Sequence, residues 1–354
     1  MKKFIYKTSF FILPLLFIYG VSAYFHNINL KEGDLIRLGY IYYNPCPKRK
    51  ILRQFHFSKK YKLLSELNLK TKNKFDVLTI GDSFSNQGSV GYNNLLAQDE
   101  LTVLHIDRFL TRGNHIQKLV ELINGDFFDY IQTDYIVLQS IEREFVKICE
   151  EIDYSRSTDI DSLIKQIEDN AKQESKDNID NLDFFSDAVI KIPLTNFLYF
   201  FSDKPLSSKT YKVRTNRYNL FSNNPDSLLF YQDDVKLLRY KNDRSKIIKC
   251  NFNLNKINEL LSNKNIKLIV LISPDKYDLY YQYIQNTQNF NTPLFFKYYD
   301  VLDKTYENVK AYEILSKNIE KYQDIYYYDD THWTPFTANI IAKEIQEIIT
   351  RRTN

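Results

Sequence analysis

Cysteine is scarce in this sequence, and the three copies stand far apart at Cys46, Cys149 and Cys250. Their number is odd and their spacing matches no pattern of metal ligands, so the sequence predicts neither a metal site nor a disulfide framework. One bridge between two of them stays open, but three isolated thiols are the favoured interpretation.

Long runs of one charge are also missing. The chain has 48 Lys and Arg against 44 Asp and Glu, a formal net charge of +4 that is spread along its length. Without a basic block or a repeated basic-aromatic pattern, nucleic acid is not an expected partner. The sequence also has no nucleotide-binding fingerprint and no internal repeat, and it predicts no cofactor.

The N-terminus carries the first positive signal. Three lysines within the first seven residues precede an uncharged, mostly apolar run from Thr8 to Phe25. At ~1.5 Å per residue this run just spans a bilayer core. The basic flank predicts that residues 1–7 form a cytoplasmic tail and that residues 8–25 are a transmembrane anchor in the bacterial inner membrane. The rest of the chain is then exported. Val21-Ser22-Ala23 resembles a cleavage site, so a removable signal peptide is the alternative; the length of the run favours the anchor.

After a polar, lysine-rich stretch interpreted as a linker (26–70), short apolar runs alternate with helical patterns. This alternation predicts an α/β domain (71–350) with a mostly parallel sheet covered on both faces. The final segment predicts an amphipathic helix with Thr334 as its N-cap. The strands are expected at 75–80, 101–106, 135–138, 266–272 and 325–328, with a helix at 116–123.

The alternation of apolar strands and helical patterns is interrupted at about residues 150–249. Residues 158–185 are highly charged, and the aromatic stretch 197–201 follows them. We interpret this region as an insertion or cap over the sheet, in the form of a helical hairpin or a partly disordered segment.

Ser83 follows the first strand directly, in the sequence Gly81-Asp82-Ser83. Open α/β sheets bind ligands beyond the carboxyl ends of their strands, so this serine is expected at a ligand-binding edge. Gly-Asp-Ser alone is also a common turn composition, with Asp82 bracing the turn. A second motif is needed to favour a catalytic role for Ser83 over a simple turn.

That motif lies near the C-terminus, in Asp329-Asp330-Thr331-His332-Trp333. A serine hydroxyl needs a base to take its proton, and a neutral imidazole oriented by a carboxylate can act as that base. Only five histidines occur in the chain. One of them beside two carboxylates, in a chain that also has Gly-Asp-Ser, favours a Ser–His–Asp site over a surface turn.

The two motifs resemble those of the SGNH (GDSL) hydrolase superfamily. The form Asp-Thr-His-Trp and the segment from Ser273 to Tyr280 are similar to SGNH-like proteins of bacterial polysaccharide O-acetylation, including the alginate acetyltransferase family and the related DHHW proteins. The resemblance covers roughly residues 70–350 without much of the insertion. It implies a three-layer α/β/α domain.

The resemblance also implies roles. Ser83 is the expected nucleophile, with its N–H in the oxyanion hole, and His332 the expected base. Asp330 is favoured as the orienting acid, and Asp329 is the alternative. Gly113 is expected to supply a second oxyanion N–H.

The family's Gly-x-Asn block is absent, which leaves the oxyanion hole incompletely assigned. Gln139 is proposed to donate through its amide there, or Arg143 to help hold the site. Lys276 can contact an anionic sugar if it is not simply solvated. Trp333 either packs behind His332 or forms a wall of a sugar site.

The implied function is extracytoplasmic O-acetyl transfer to a surface polysaccharide through an acyl-enzyme, with an integral-membrane partner that exports the acyl group. The rivals are an acetylesterase and a non-catalytic glycan-binding protein. The sequence leaves the glycan and the oligomeric state undetermined.

Overall fold

Six parallel strands form the central sheet of the computed structural model, which describes residues 1–29, 33–42, 55–177, 187–223 and 226–351. The strand order is β1-β3-β2-β4-β7-β8, and a separate antiparallel hairpin pairs β5 with β6. This confirms the expected α/β class. The strands are β1 Lys62–Leu63, β2 Asn73–Ile80, β3 Val103–Ile106, β4 Ile131–Ile141, β5 Thr210–Arg214, β6 Ser227–Tyr231, β7 Lys267–Ser273 and β8 Glu307–Val309.

Helices fill most of the connections between these strands. In the described ranges they are α1 Lys2–Asn29, α2 Asp34–Gly39, α3 Tyr92–Gln98, α4 Arg108–Thr111, α5 His115–Asn124, α6 Phe127–Tyr130, α7 Glu142–Cys149, α8 Ile160–Asp177, α9 Asp187–Leu198, α10 Gln232–Lys236, α11 Leu238–Lys241, α12 Arg244–Ser262, α13 Lys276–Tyr280, α14 Phe295–Tyr299, α15 Ala311–Ile319 and α16 Pro335–Thr350.

The sheet is buried on both faces, because its strands carry apolar residues at successive positions. In β2, Val77 belongs to the core on one face and Leu78 to the core on the other. Helices α3 and α16 pack on the first face, and α5 and α12 on the second. The result is the expected three-layer α/β/α arrangement.

The fifth expected strand, at 325–328, is wrong. Tyr326 forms only an isolated bridge with Trp333, and the run does not join the sheet. Ile325 and Tyr326 are fully buried, and a short buried apolar run cannot be told from a strand by periodicity. The strands that complete the sheet, β1 and β8, were missed because they have two and three residues.

The polar stretch that was expected to be a linker (26–70) contains a helix and a strand that pack against the domain. α2 buries Leu35 and Ile36, and β1 joins the sheet edge. Cys46 lies outside the described residues. The expected insertion contains α8, α9 and the β5–β6 hairpin, and α12 runs across its expected end at 249. Cys149 and Cys250 are buried free thiols.

Helix α1 projects from the folded domain with little of its surface covered. Among the described residues it alone is long and apolar enough to cross a membrane, and only 6% of its most apolar window is buried. A signal sequence near the N-terminus can meet the same criterion of length and apolar composition. At ~1.5 Å per residue, the helix exceeds the ~30 Å of a bilayer core.

Candidate active site

Ser83 lies in the turn at the carboxyl end of β2, and Asp82 holds this turn in place. One carboxylate oxygen of Asp82 accepts the backbone N–H of Phe84 at 2.9 Å, and the other accepts that of Ile141 at the end of β4. Asp82 therefore ties the two central strands together and fixes the position of Ser83, as the sequence suggested for a bracing residue.

A glycine is required at position 81 because the side chains of Ser85 and Gln139 lie very close to its backbone. A Cβ at this position would collide with the Ser85 hydroxyl and with the side-chain oxygen of Gln139. The backbone before Ser83 consequently packs directly onto β4.

His332 meets Ser83 from a loop at the other end of the chain. The bridge between Tyr326 and Trp333 closes this loop. The Ser83 Oγ lies 2.7 Å from His332 Nε2, and His332 Nδ1 lies 2.6 Å from Asp330 Oδ1. Because a carboxylate only accepts, Nδ1 carries the proton and Nε2 is free to accept the serine hydroxyl. The three side chains form one hydrogen-bonded chain.

The pKa of His332 reflects this environment. Burial lowers it, but the hydrogen bond to Asp330 and the negative charges of Asp330 and Asp34 raise it by more, so the net shift is upward. Arg143 is close enough for its positive charge to oppose the increase. The raised pKa means that the site favours the imidazolium that forms when His332 accepts a proton.

Asp330, not Asp329, contacts the imidazole. The Asp329 carboxylate lies 3.4 Å from the backbone N of Gly33, and its carbonyl oxygen accepts the N–H of Leu35 at 3.0 Å. Asp329 therefore faces α2, which begins just after the end of the membrane-length helix.

Residues 225–354 match the family model of the SGNH hydrolase-like domain, acetyltransferase AlgX. This confirms the resemblance noted in the sequence for that part of the chain, which includes Asp330 and His332 but not Ser83. No curated protein and no solved structure gives a match. The match supports an enzyme of the acyltransferase or hydrolase kind that acts on polysaccharide.

Ser83 and Gly113, whose N–H groups are the expected oxyanion donors, both precede the matched segment. Neither the N–H of Ser83 nor that of Gly113 has a hydrogen-bond partner in the described part of the chain. Gly113 has a φ of +81°, which favours glycine, and a side chain there would point into open space. Asn114 caps the following helix, α5, through Gln117.

Gln139 does not face the site, contrary to its proposed role as an amide donor. It is fully buried, and its side-chain oxygen accepts the N–H of Asp82 and the hydroxyl of Ser85. Its amide nitrogen donates to Ser273 on β7 at 3.1 Å. The Gln139 amide therefore connects the carboxyl ends of β2, β4 and β7 beneath Ser83.

Arg143 lies in the first turn of α7, just after β4, and is bound by two buried carboxylates. Its guanidinium lies 3.3 Å from Asp234 and 3.1 Å from Asp275. The side chain keeps 14% of its surface exposed and lies over the ring of Tyr231. It is therefore a fixed positive charge at the edge of the site.

Lys276 cannot contact a sugar, because it is 1% exposed. Its ammonium donates to the carbonyl oxygens of Tyr327, Tyr328 and Asp330, at 2.6, 2.7 and 3.3 Å. Burial is the largest influence on its pKa, which is lowered to about 8 despite the nearby carboxylates. Lys276 thus holds the loop that carries Asp330 and His332.

We expect Lys276→Met to lower the free energy of unfolding by roughly 2–4 kcal/mol, because three buried carbonyl oxygens lose their donor. Chemical denaturation of the full chain in detergent would measure the loss. Lys297→Met, at an exposed position on α14, is the matched control. Equal stability of the two variants would contradict the role of Lys276.

Trp333 is also a packing residue and not a sugar platform. It is fully buried, and its indole N–H donates to Gln87 at 2.7 Å. Its ring meets Phe84 edge-on, and the Phe84 ring also lies 4.7 Å from the His332 imidazole. Trp333 therefore supports the His332 imidazole through the ring of Phe84, on the side that faces the protein interior.

Two clusters in the described residues have ligand spacing for a metal ion. In the first, Glu142, Asp275 and Asp278 surround the fully buried ammonium of Lys241 at 2.9, 2.6 and 2.7 Å. That ammonium already supplies the positive charge that a metal would bring. The second consists of Asp34, Asp330 and His332, where the Nδ1 of His332 is engaged by Asp330.

Asp34 was missed by sequence reasoning. Its carboxylate accepts the backbone N–H of Thr331 at 2.8 Å and the Thr331 hydroxyl at 2.6 Å. Burial, followed by the charge of Asp330, raises its pKa. It stands in the polar stretch after α1, almost three hundred positions from its partner, so no local pattern identifies it.

Proposed function

We propose that this protein is an extracytoplasmic O-acyltransferase that moves an acetyl group to a bacterial polysaccharide through a serine-bound intermediate. The observation that carries the proposal is the hydrogen-bonded chain from Ser83 through His332 to Asp330, at the carboxyl edge of the sheet. The family match supports the acetyl group and the polysaccharide as reactants.

In the first step, the Ser83 oxygen attacks the carbonyl carbon of the acyl donor while its proton moves to His332 Nε2. His332 then gives this proton to the leaving oxygen or sulfur of the donor, and the acyl group stays on Ser83 as an ester. Asp330 holds the Nδ1–H and stabilises the imidazolium that forms.

In the second step, a sugar hydroxyl gives its proton to His332 and attacks the acyl carbonyl. The Ser83 oxygen leaves and takes the proton back, which restores the free enzyme. In both steps the carbonyl oxygen becomes negative, and the N–H groups of Ser83 and Gly113 are proposed to stabilise it, with Arg143 as the nearby positive charge.

Helix α1 is proposed to remain as a membrane anchor, with residues 1–7 in the cytoplasm and the domain outside the inner membrane. The acyl donor must then reach the outer side, so we propose an integral-membrane partner that exports the acyl group. The site itself requires only an activated acyl ester or thioester as the donor.

A transfer assay with the full chain in detergent tests the function. We expect 4-nitrophenyl acetate to acetylate Ser83 and a glycan oligosaccharide to take up the acetyl group, which mass spectrometry would detect on both. Acetate release without acetylated oligosaccharide, across neutral and uronate acceptors, would favour an esterase. Absence of any Ser83 adduct in folded protein would favour a non-catalytic glycan-binding protein.

A further inference from the structure

Helix α9 and the turn that follows it expose several large apolar side chains close together. Ile190, Leu194, Phe197 and Phe201 recur at helical spacing on one side, and their exposed fractions are 64%, 53%, 59% and 76%. Phe200 follows with 83% of its surface exposed. A contiguous exposed apolar surface of this kind marks an interaction site.

The opposite side of α9 is already packed against the protein. Val189 and Ile192 are each 1% exposed, and Thr195 is fully buried. The helix is therefore apolar on both sides, which is typical of a helix with no side facing water. Its twelve residues span about 18 Å, too little for the ~30 Å core of a bilayer.

The position of α9 indicates what covers its exposed face. The helix packs beside α1, and Asn196 joins it to the segment that follows α1. The Asn196 amide donates to the carbonyl oxygen of Tyr40 at 2.6 Å and accepts the N–H of Tyr42 at 3.1 Å. The Tyr42 ring meets Phe25, in the last part of α1, at 5.0 Å.

We propose that the α9 face, defined as Ile190, Leu194, Phe197, Phe200 and Phe201, lies in the outer interface of the membrane that α1 crosses and is covered by lipid acyl chains. This proposal rests on the anchoring role of α1 in the proposed function. Lipid is the favoured occupant because α9 packs beside α1, a helix of membrane-spanning length whose apolar side chains are mostly uncovered as far as Tyr24, which is 63% exposed.

This placement brings the site close to the membrane. From Asn29, the end of α1, to Gly33 there are four residue steps, which reach at most about 14 Å. Gly33 and Leu35 bond directly to Asp329, next to Asp330. A domain held by both α1 and α9 would keep the Ser83 site at a fixed height and orientation, suited to an acyl donor delivered from the bilayer.

The rings of the α9 face are separate from the catalytic residues. Phe197, Phe200 and Phe201 line a cavity of about 1260 Å³ whose lining does not include Ser83 or His332. Substitutions on this face are therefore expected to leave the chemistry of Ser83 unchanged.

Tryptophan fluorescence tests the proposal, because the single native tryptophan, Trp333, is fully buried. Full-length Phe200→Trp and the control Phe252→Trp, at a 65% exposed position on α12, are reconstituted in vesicles of phosphatidylcholine and phosphatidylglycerol. We expect brominated acyl chains to quench most of the added emission of Phe200→Trp and little of that of Phe252→Trp.

Equal, weak quenching of both variants in protein that floats with the vesicles would overturn the lipid contact. A blue-shifted but unquenched Phe200→Trp emission would also overturn it and indicate that a second protein surface covers the face. Failure of the full chain to float would overturn the α1 anchor together with this inference. Labelling of Ser83 by a fluorophosphonate, measured in the same samples, reports separately on the proposed chemistry.

Discussion

Replacement of Ser83 by alanine should reduce acetyl transfer by about 10⁴–10⁶-fold, since the proposed nucleophile is lost while the rest of the site remains. Labelling by a fluorophosphonate should disappear as well, because this probe requires an activated serine. The fold should persist, because the Ser83 hydroxyl contacts only His332 Nε2 among the described side chains. Far-ultraviolet circular dichroism and thermal unfolding would check that.

Ser89→Ala is the matched control, because Ser89 lies on the same loop and is partly exposed. It should label and transfer like the parent protein. If Ser83→Ala retained transfer while folded, the serine mechanism would be excluded, and a binding role for the domain would gain support.

Replacement of Asp330 by asparagine should lower turnover by about 10⁴-fold, because a neutral amide cannot stabilise the imidazolium by its charge, and its NH₂ can donate to Nδ1 and favour the wrong tautomer. Asp329→Asn should have a far smaller effect, since its carboxylate faces Gly33 and not the imidazole. The two neighbours form an internal comparison in one loop. A larger loss for Asp329→Asn, with both variants folded, would reverse the assignment.

The pH profile gives a second readout of the same pair. The base must be neutral, and the pKa of His332 is raised, so kcat/KM should rise with pH to a half-maximum above the ordinary histidine value of about 6.5. Asp330→Asn removes the main influences that raise this pKa, while burial still lowers it. The half-maximum of the residual activity should therefore move to lower pH; an unchanged profile would contradict control by Asp330.

Much of the fold was predictable because buried parallel strands are short apolar runs. The expected strands around 75–80 and 135–138 became β2 and β4, and the terminal helix began at Pro335 as expected. Thr334 is the N-cap residue as expected, but its hydroxyl donates to the carbonyl oxygen of Asp324 and accepts no backbone N–H of the helix. An apolar run indicates that a segment is buried, whereas its pairing as a β-strand depends on which other segments of the chain lie beside it in the fold.

The roles of single polar residues were harder to predict. Gln139 was proposed as an amide donor, Lys276 as a sugar contact or a solvated residue, and Trp333 as packing or a sugar wall. All three are enclosed by the protein, so only the packing alternative for Trp333 agrees with the structure. Each holds a piece of chain whose position depends on distant residues. Sequence position places a residue at the end of a strand but does not specify the direction of its side chain.

The sequence by itself determined the strand–turn setting of Ser83, the presence of a histidine with adjacent carboxylates, and the apolar length of α1, because these depend on neighbouring residues. Only the tertiary structure decided that Asp330 binds the imidazole, that Asp34 supports the loop from beside α1, and that α9 presents an apolar face there. These contacts join residues far apart in the chain, and their geometry is fixed by the packing of the sheet and its helices.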